Sequence, residues 1–147
     1  MELIHRNTDY ALRALLHLAS LGNGRTGASA ELAARTNVSL PFARKLLRQL
    51  ARRKIITSVR GVAGGYRLAG PPSGISVLCV LEAVQGRLAV NRCFVSQGLC
   101  ARKARCPLRR RLGAIQEALR RSLARVPLSA FLRSRRGRKS AAGQSKS

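Results

Sequence analysis

Acidic residues are scarce in this chain. Five carboxylates, Glu2, Asp9, Glu31, Glu82 and Glu117, are scattered over 147 residues. None is placed beside another as a pair for general acid/base work, and His5 and His17 have no neighbouring serine or cysteine nucleophile. The parts of an enzyme are missing. Tryptophan is absent and aromatic residues make up 3% of the chain, too few for the stacking platforms on which single-stranded nucleic acids lie. No apolar run approaches the roughly 18 residues of a membrane span, and MELIHRNTDY lacks the basic and apolar regions of a secretory signal. The expectation is a cytoplasmic protein without a membrane partner, whose four cysteines are thiols or ligands.

Positive charge and apolar residues are plentiful. Lys and Arg number 29, giving a net charge of +24, a balance that points to a polyanionic partner, nucleic acid first. A hydrophobic content of 46% excludes a wholly disordered chain, and 147 residues suffice for one compact core with appendages. There are no internal repeats.

From Thr8 to Leu21, Leu12, Leu15, Leu16 and Ala19 recur at helical spacing, with Ala11 and Leu18 widening the stripe and Asn7 or Thr8 as a cap. A glycine-rich break follows. Ser29 can cap a short helix over Ala30 to Thr36, with Leu32 and Ala33 inward, and Asn37 tolerates a left-handed turn. Ser39 then caps a helix from about Leu40 to Lys54 that carries Pro41 in its first turn. Ala43, Leu46, Leu47 and Leu50 share one face of it, with Arg44, Lys45, Arg48, Arg52 and Arg53 largely on the other. The β-branched stretch from Ile55 to Arg60, the permissive G-V-A-G-G and the stretch Tyr66 to Ala69 read as a hairpin. Short helix, tight turn, basic helix and hairpin in that order predict a winged helix-turn-helix. Gly61, Gly64 and Gly65 belong to that hairpin, since no G-K-[ST] follows to make a phosphate loop.

Beyond Pro71 and Pro72, Ser73 or Ser76 caps an apolar helix in which Cys79 is expected in the core. Periodicity is lost from Gly86 to Pro107. A long helix returns from Leu108 to Val126, with Leu108, Leu112, Ile115, Leu119 and Leu123 in a narrow stripe. Nothing else in the chain is left to cover that stripe, so a second copy is expected to. Pro127 ends the helix, L-S-A-F-L docks, and residues from 133 read as a disordered basic tail.

Cys93, Cys100 and Cys106 fall in the aperiodic loop, spaced C-x6-C-x5-C among Arg92, Arg102, Lys103 and Arg105. Cationic neighbours favour the thiolate that metal binding and redox chemistry both need. Structural zinc would want a C-x2-C knuckle and a fourth ligand. Three thiolates with one ligand from elsewhere suit an iron–sulfur cluster, and unliganded thiols remain the plain alternative.

The strings T-D-Y-A-L-R-A-L-L-H-L-A, V-S-L-P-F-A-R-K-L-L-R-Q-L, V-R-G-V-A-G-G-Y-R-L-A and I-S-V-L-C-V-L-E-A-V, followed by the three-cysteine loop, resemble the Rrf2 family of bacterial transcription regulators over about residues 2 to 132. Its members include the IscR, NsrR and RirA types. The resemblance implies a mainly α fold: a winged helix-turn-helix with a two-stranded wing and a long C-terminal dimerisation helix. It divides the chain into a DNA-binding domain (1–70), a connecting helix (71–86), a cluster loop (87–107), a dimerisation helix with docking segment (108–132) and the tail (133–147).

The resemblance further implies a homodimeric regulator, a repressor by expectation, on a palindromic double-stranded operator. It would sense nitric oxide, redox or iron status through a 4Fe–4S or 2Fe–2S cluster. Cys93, Cys100 and Cys106 match the cluster cysteines, with a first gap of six residues where five is common. The IscR type adds a histidine three residues after the last cysteine; Arg109 stands there and cannot serve. The NsrR type supplies an aspartate from the partner's first helix, and Asp9 matches it. Ser39, Pro41, Phe42, Arg44 and Lys45 match the start of the recognition helix, Arg60 the wing-base arginine, and Arg67 is a further backbone contact. The alternatives are a cluster-free regulator of the same fold, thiol-based or constitutive, and a basic RNA-binding or ribosome-associated protein.

Overall fold

A computed structural model describes residues 2–95 and 105–132. Cys100, Arg102, Lys103 and residues 133–147 lie outside the described residues, and with them the expectations placed there. Five helices and one hairpin follow in order: α1 Arg6–Leu21, α2 Ser29–Thr36, α3 Leu40–Arg52, β1 Ile56–Val59, β2 Gly65–Leu68, α4 Val77–Gln85 and α5 Pro107–Ala124. Single 3-10 turns stand at Pro72–Gly74 and Arg92–Phe94. None of these helices is long and apolar enough to cross a membrane.

Helix α1 is the hub, packed by α2, α3, α4 and the wing. Its buried stripe is Thr8, Ala11, Ala14, Leu15 and Leu18. Leu12, Leu16 and Ala19, expected inward, are half-buried on its flank. A helix contacted from several sides has no single inner face, and small Ala11 and Ala14 are the positions at which neighbours come close. The helix also begins earlier than the capping residues suggest. Asn7 and Thr8 lie inside it, and the buried Thr8 hydroxyl donates to Gln85 Oε1 of α4 at 2.7 Å in place of capping.

The second helix likewise starts at Ser29 itself, after Ala28. Its end is as expected. Asn37 sits at φ 56°, ψ 50°, and its N–H donates back to the carbonyls of Ala33 and Ala34, which turns the chain sharply into α3. Ser39 caps α3 by accepting from the Phe42 N–H at 3.4 Å, with Pro41 in the first turn. Ala43, Leu46, Leu47 and Leu50 are all buried. Each leucine so placed contributes about 1.5–3 kcal/mol through apolar area removed from water.

In the hairpin Ile56 pairs with Leu68, Thr57 with Arg67, Ser58 with Tyr66 and Val59 with Gly65. A two-stranded hairpin this short is marginal alone. Here it gains a third partner, because Gly27 and Tyr66 exchange backbone hydrogen bonds of 2.8 and 2.9 Å. Gly65 makes this possible: at φ +151° a Cβ there would lie 2.5 Å from the Gly27 carbonyl oxygen.

Ser76 caps α4, accepting from the Cys79 N–H at 3.2 Å. Val77, Val80, Leu81 and Ala83 are its buried residues, and Cys79, expected in the core, is exposed. Position 79 is 200° round the helix from Val77, so the inner face passes it by. The stretch after α5 docks as expected: Val77 N–H donates to Val126 O and Leu128 N–H to Ile75 O, both at 2.9 Å, with Leu128 fully buried.

Candidate nucleic-acid interface and cysteine site

Between Glu31 and Glu82 the sequence holds no acidic residue. This stretch runs from the second turn of α2 through α3 and the wing, so the one acid of the helix-turn-helix is Glu31 in the first turn of α2, and the surface beyond it is cationic without internal neutralisation. Arg44, Lys45, Arg48 and Arg52 are exposed on α3, opposite the buried leucines. Ser39 and Pro41 are exposed at the start of the helix, where an end enters a groove most easily. Phe42 is half-buried, its ring edge-on to Tyr10 with centroids 5.9 Å apart, and packs on the core.

Arg60 is exposed immediately beyond β1. The wing tip next to it is held in shape. Gly64 N–H donates to Gly61 O at 2.9 Å, and Thr26 Oγ1 donates to Ala63 O at 2.7 Å. Val62 projects from the tip entirely exposed. Arg67 lies on the outer face of the wing opposite Thr57 and lines a cleft of about 350 Å³ with Arg25 and the Gly22–Gly24 turn. No α3 residue lines that cleft.

Behind the interface, Gln49 Nε2 donates to the carbonyls of Ala83 and Val84, each at 3.0 Å. The side chain of α3 thereby closes the C-terminal end of α4, whose last carbonyls have no partner within the helix. This role was not legible in the sequence. Its signal was faint: Gln49 is the only uncharged polar residue between Leu40 and Arg52.

Two of the three loop cysteines are described, and both are free and half-buried. Cys93 sits in the Arg92–Phe94 turn and Cys106 is the N-cap of α5, its Sγ accepting from the Arg109 N–H at 3.5 Å. Arg109 also donates from its guanidinium to the Cys93 carbonyl oxygen. The two thiol-bearing segments therefore meet at the start of α5. Among the described residues no three His, Cys, Asp or Glu side chains converge, Cys100 lying outside them. Two soft, partly accessible thiols on segments joined through Arg109 have the chemistry of iron–sulfur ligands, which are thiolates.

Asp9, half-buried on α1, pairs with Arg13 one turn on at 2.9 Å. Glu31 pairs with His17, Nε2 to Oε1 at 2.7 Å, which gives that histidine a structural role. Glu82 receives Arg120 of α5 and the Leu88 N–H, and Gln116 Oε1 accepts from the Val90 N–H at 3.2 Å. The Arg120–Glu82 pair pins α5 to α4, and Gln116 ties α5 to the segment that follows α4. They leave Leu108 60% and Ile115 57% exposed, and Gln116 is the one buried residue of α5.

A family model described as "Rrf2: Iron-dependent Transcriptional regulator" matches residues 4–134. Solved structures share the fold. The global cysteine regulator CymR of B. subtilis superposes with a TM-score of 0.70 at 20% identity, over 89% of this chain and 96% of that one. IscR of T. potens gives 0.71 at 19% identity over 98% and 93%. An oxidized form of CymR from Staphylococcus aureus gives 0.65 at 23% identity over 87% and 93%.

Proposed function

From the premise that this chain belongs to the Rrf2 family of transcriptional regulators, which bind DNA and are not enzymes, we propose that it acts as a homodimer on an imperfectly palindromic operator. It reports the state of an iron–sulfur cluster held by Cys93, Cys100, Cys106 and Asp9 of a second copy. Two α3 helices would enter successive major grooves about 34 Å apart, with Ser39, Pro41, Phe42, Arg44 and Lys45 at their leading ends. Arg60 would reach the minor groove from the wing, and Arg67 a phosphate beside it. The leucine–isoleucine stripe of α5 would pack against its copy.

The observation that carries the sensing half of this reading is the joining of the Cys93 turn to the Cys106 end of α5 through Arg109. A bound cluster would supply a centre whose ligation changes with oxidant, nitric oxide or iron supply. The chain's own residues would carry that change inward. Helix α5 is joined to α4 through Arg120 and Glu82, and α4 to the recognition helix through Gln49. Ligation that draws in Asp9 of a second copy would also bear on α1, the hub of the DNA-binding half.

The test is the visible spectrum of anaerobically purified protein, with iron and acid-labile sulfide assayed on the same sample. Gel shifts of loaded and metal-free protein on one operator then follow. Matched iron and sulfide, lost in Cys100→Ala, with an operator affinity that differs between the two states, is the expected result. Equal affinity in both states would sink the switch. Colourless protein after anaerobic reconstitution would favour the second reading, a thiol-based regulator, which the likeness to an oxidized CymR and the exposed thiol of Cys79 support. Preference for RNA over any duplex would remove both.

A further inference from the structure

Arg109 cannot ligate a metal, because its guanidinium keeps its protons and offers no lone pair. The structure gives it another occupation. Besides donating to the Cys93 carbonyl and, through its backbone, to Cys106 Sγ, it lies over the Phe94 ring with its guanidinium carbon 5.1 Å from the centroid. One residue touches the backbone of one cysteine, the ring that follows it and the sulfur of another. The ring also lies beside Gly113, one turn further along α5, where a Cβ would stand at ordinary contact distance, 3.7 Å, from it.

We propose that Arg109 is a positioning residue that clamps the Cys93 turn onto the Cys106 end of α5 in the metal-free protein, setting two thiols in place before a soft metal centre arrives. Its purpose rests on the cluster reading above; its geometry does not. A planar fork that donates along its edge to a carbonyl while its charge stands over an aromatic ring is suited to guanidinium better than to ammonium. Lysine at 109 would keep the charge and lose the clamp. With this position spent on holding the thiols, the first turn of α5 contributes no fourth ligand, which leaves that place to a residue from outside the loop.

The test uses the full chain, metal-free and anaerobic, carrying Cys79→Ser and Cys100→Ser so that Cys93 and Cys106 are the only thiols. The probe is phenylarsine oxide, whose trivalent arsenic binds two thiols with loss of one water. Affinity is read by competition with a small dithiol, and the bridged product by mass. Arg109→Ala and Arg109→Lys should both weaken binding about tenfold or more, the scale on which residues that orient metal ligands act. Helix content and thermal midpoint should stay at the parent's values. Equal affinity in parent and both variants overturns the proposal. Should Arg109→Ala lose helix, Phe94→Leu decides: it removes the ring and keeps the backbone contacts, and unaltered affinity there also overturns the clamp. A chain that bridges arsenic tightly only with Arg109 present, yet never takes up iron and sulfide, keeps this inference and removes the cluster reading. A chain that holds a cluster but is indifferent to position 109 does the reverse.

Discussion

Helices α3 and α5 are both amphipathic and both rich in arginine, and they end in opposite situations. In α3 every inward leucine is buried within the chain, so what remains outside is charge. In α5, eighteen residues long, Gln116 is the one buried residue, and what remains outside is charge and hydrocarbon together. The same residue types thus serve two ends. A helix whose apolar face is satisfied at home is free to offer a polar surface to a polyanion, whereas one with apolar residues left over presents a surface suited to a second protein surface.

The contrast can be broken most forcefully in the core. Leu47→Ala should cost about 2–5 kcal/mol, as large-to-small changes at buried leucines do, read as a lower urea midpoint; a cost below 1 kcal/mol would mean that α3 is not anchored as described. Next in size is Ile115→Asp, which should convert a dimer to a monomer in sedimentation equilibrium while the circular dichroism of the chain persists. A parent chain that already sediments as a monomer would remove the partner surface from α5. Arg60→Ala should weaken binding to an operator selected from a random duplex pool by about 1–3 kcal/mol, while Arg125→Ala, at the far end of α5, leaves it within a factor of two or so. Equal losses from both would reduce the wing to general charge.

Smaller effects sharpen the picture. Gln49→Ala removes two hydrogen bonds to the end of α4 and should cost about 1 kcal/mol, measured by chemical denaturation; no loss would disconnect α3 from α4. Asp9→Ala breaks a partly exposed pair with Arg13 and should change stability by a few tenths of a kcal/mol at most, yet shorten the life of a bound cluster. A cluster as long-lived as the parent's would exclude Asp9 as a ligand.

The helix-turn-helix and wing were the legible half. The leucines of α3, the cap at Ser39, Pro41 and the left-handed Asn37 are local signals, each fixed by chemistry within a few residues, and all are where the sequence reading placed them. The errors share a cause. Cys79 lies on a helix so apolar that its pattern names no outer side, and the buried stripe of α1 depends on which neighbours close on it from several directions. Arg109 acts on a carbonyl sixteen residues away and Gln49 on carbonyls more than thirty away, and periodicity within one helix is blind to both.

The link made by Gln49 is electrically neutral, an amide meeting two carbonyls on a molecule whose outer contacts with a polyanion would be made by cations. Counterions compete with arginine for phosphate but have little hold on a half-buried neutral hydrogen bond. Ionic strength can therefore loosen the grip of this chain on a duplex without slackening the joint between α3 and α4.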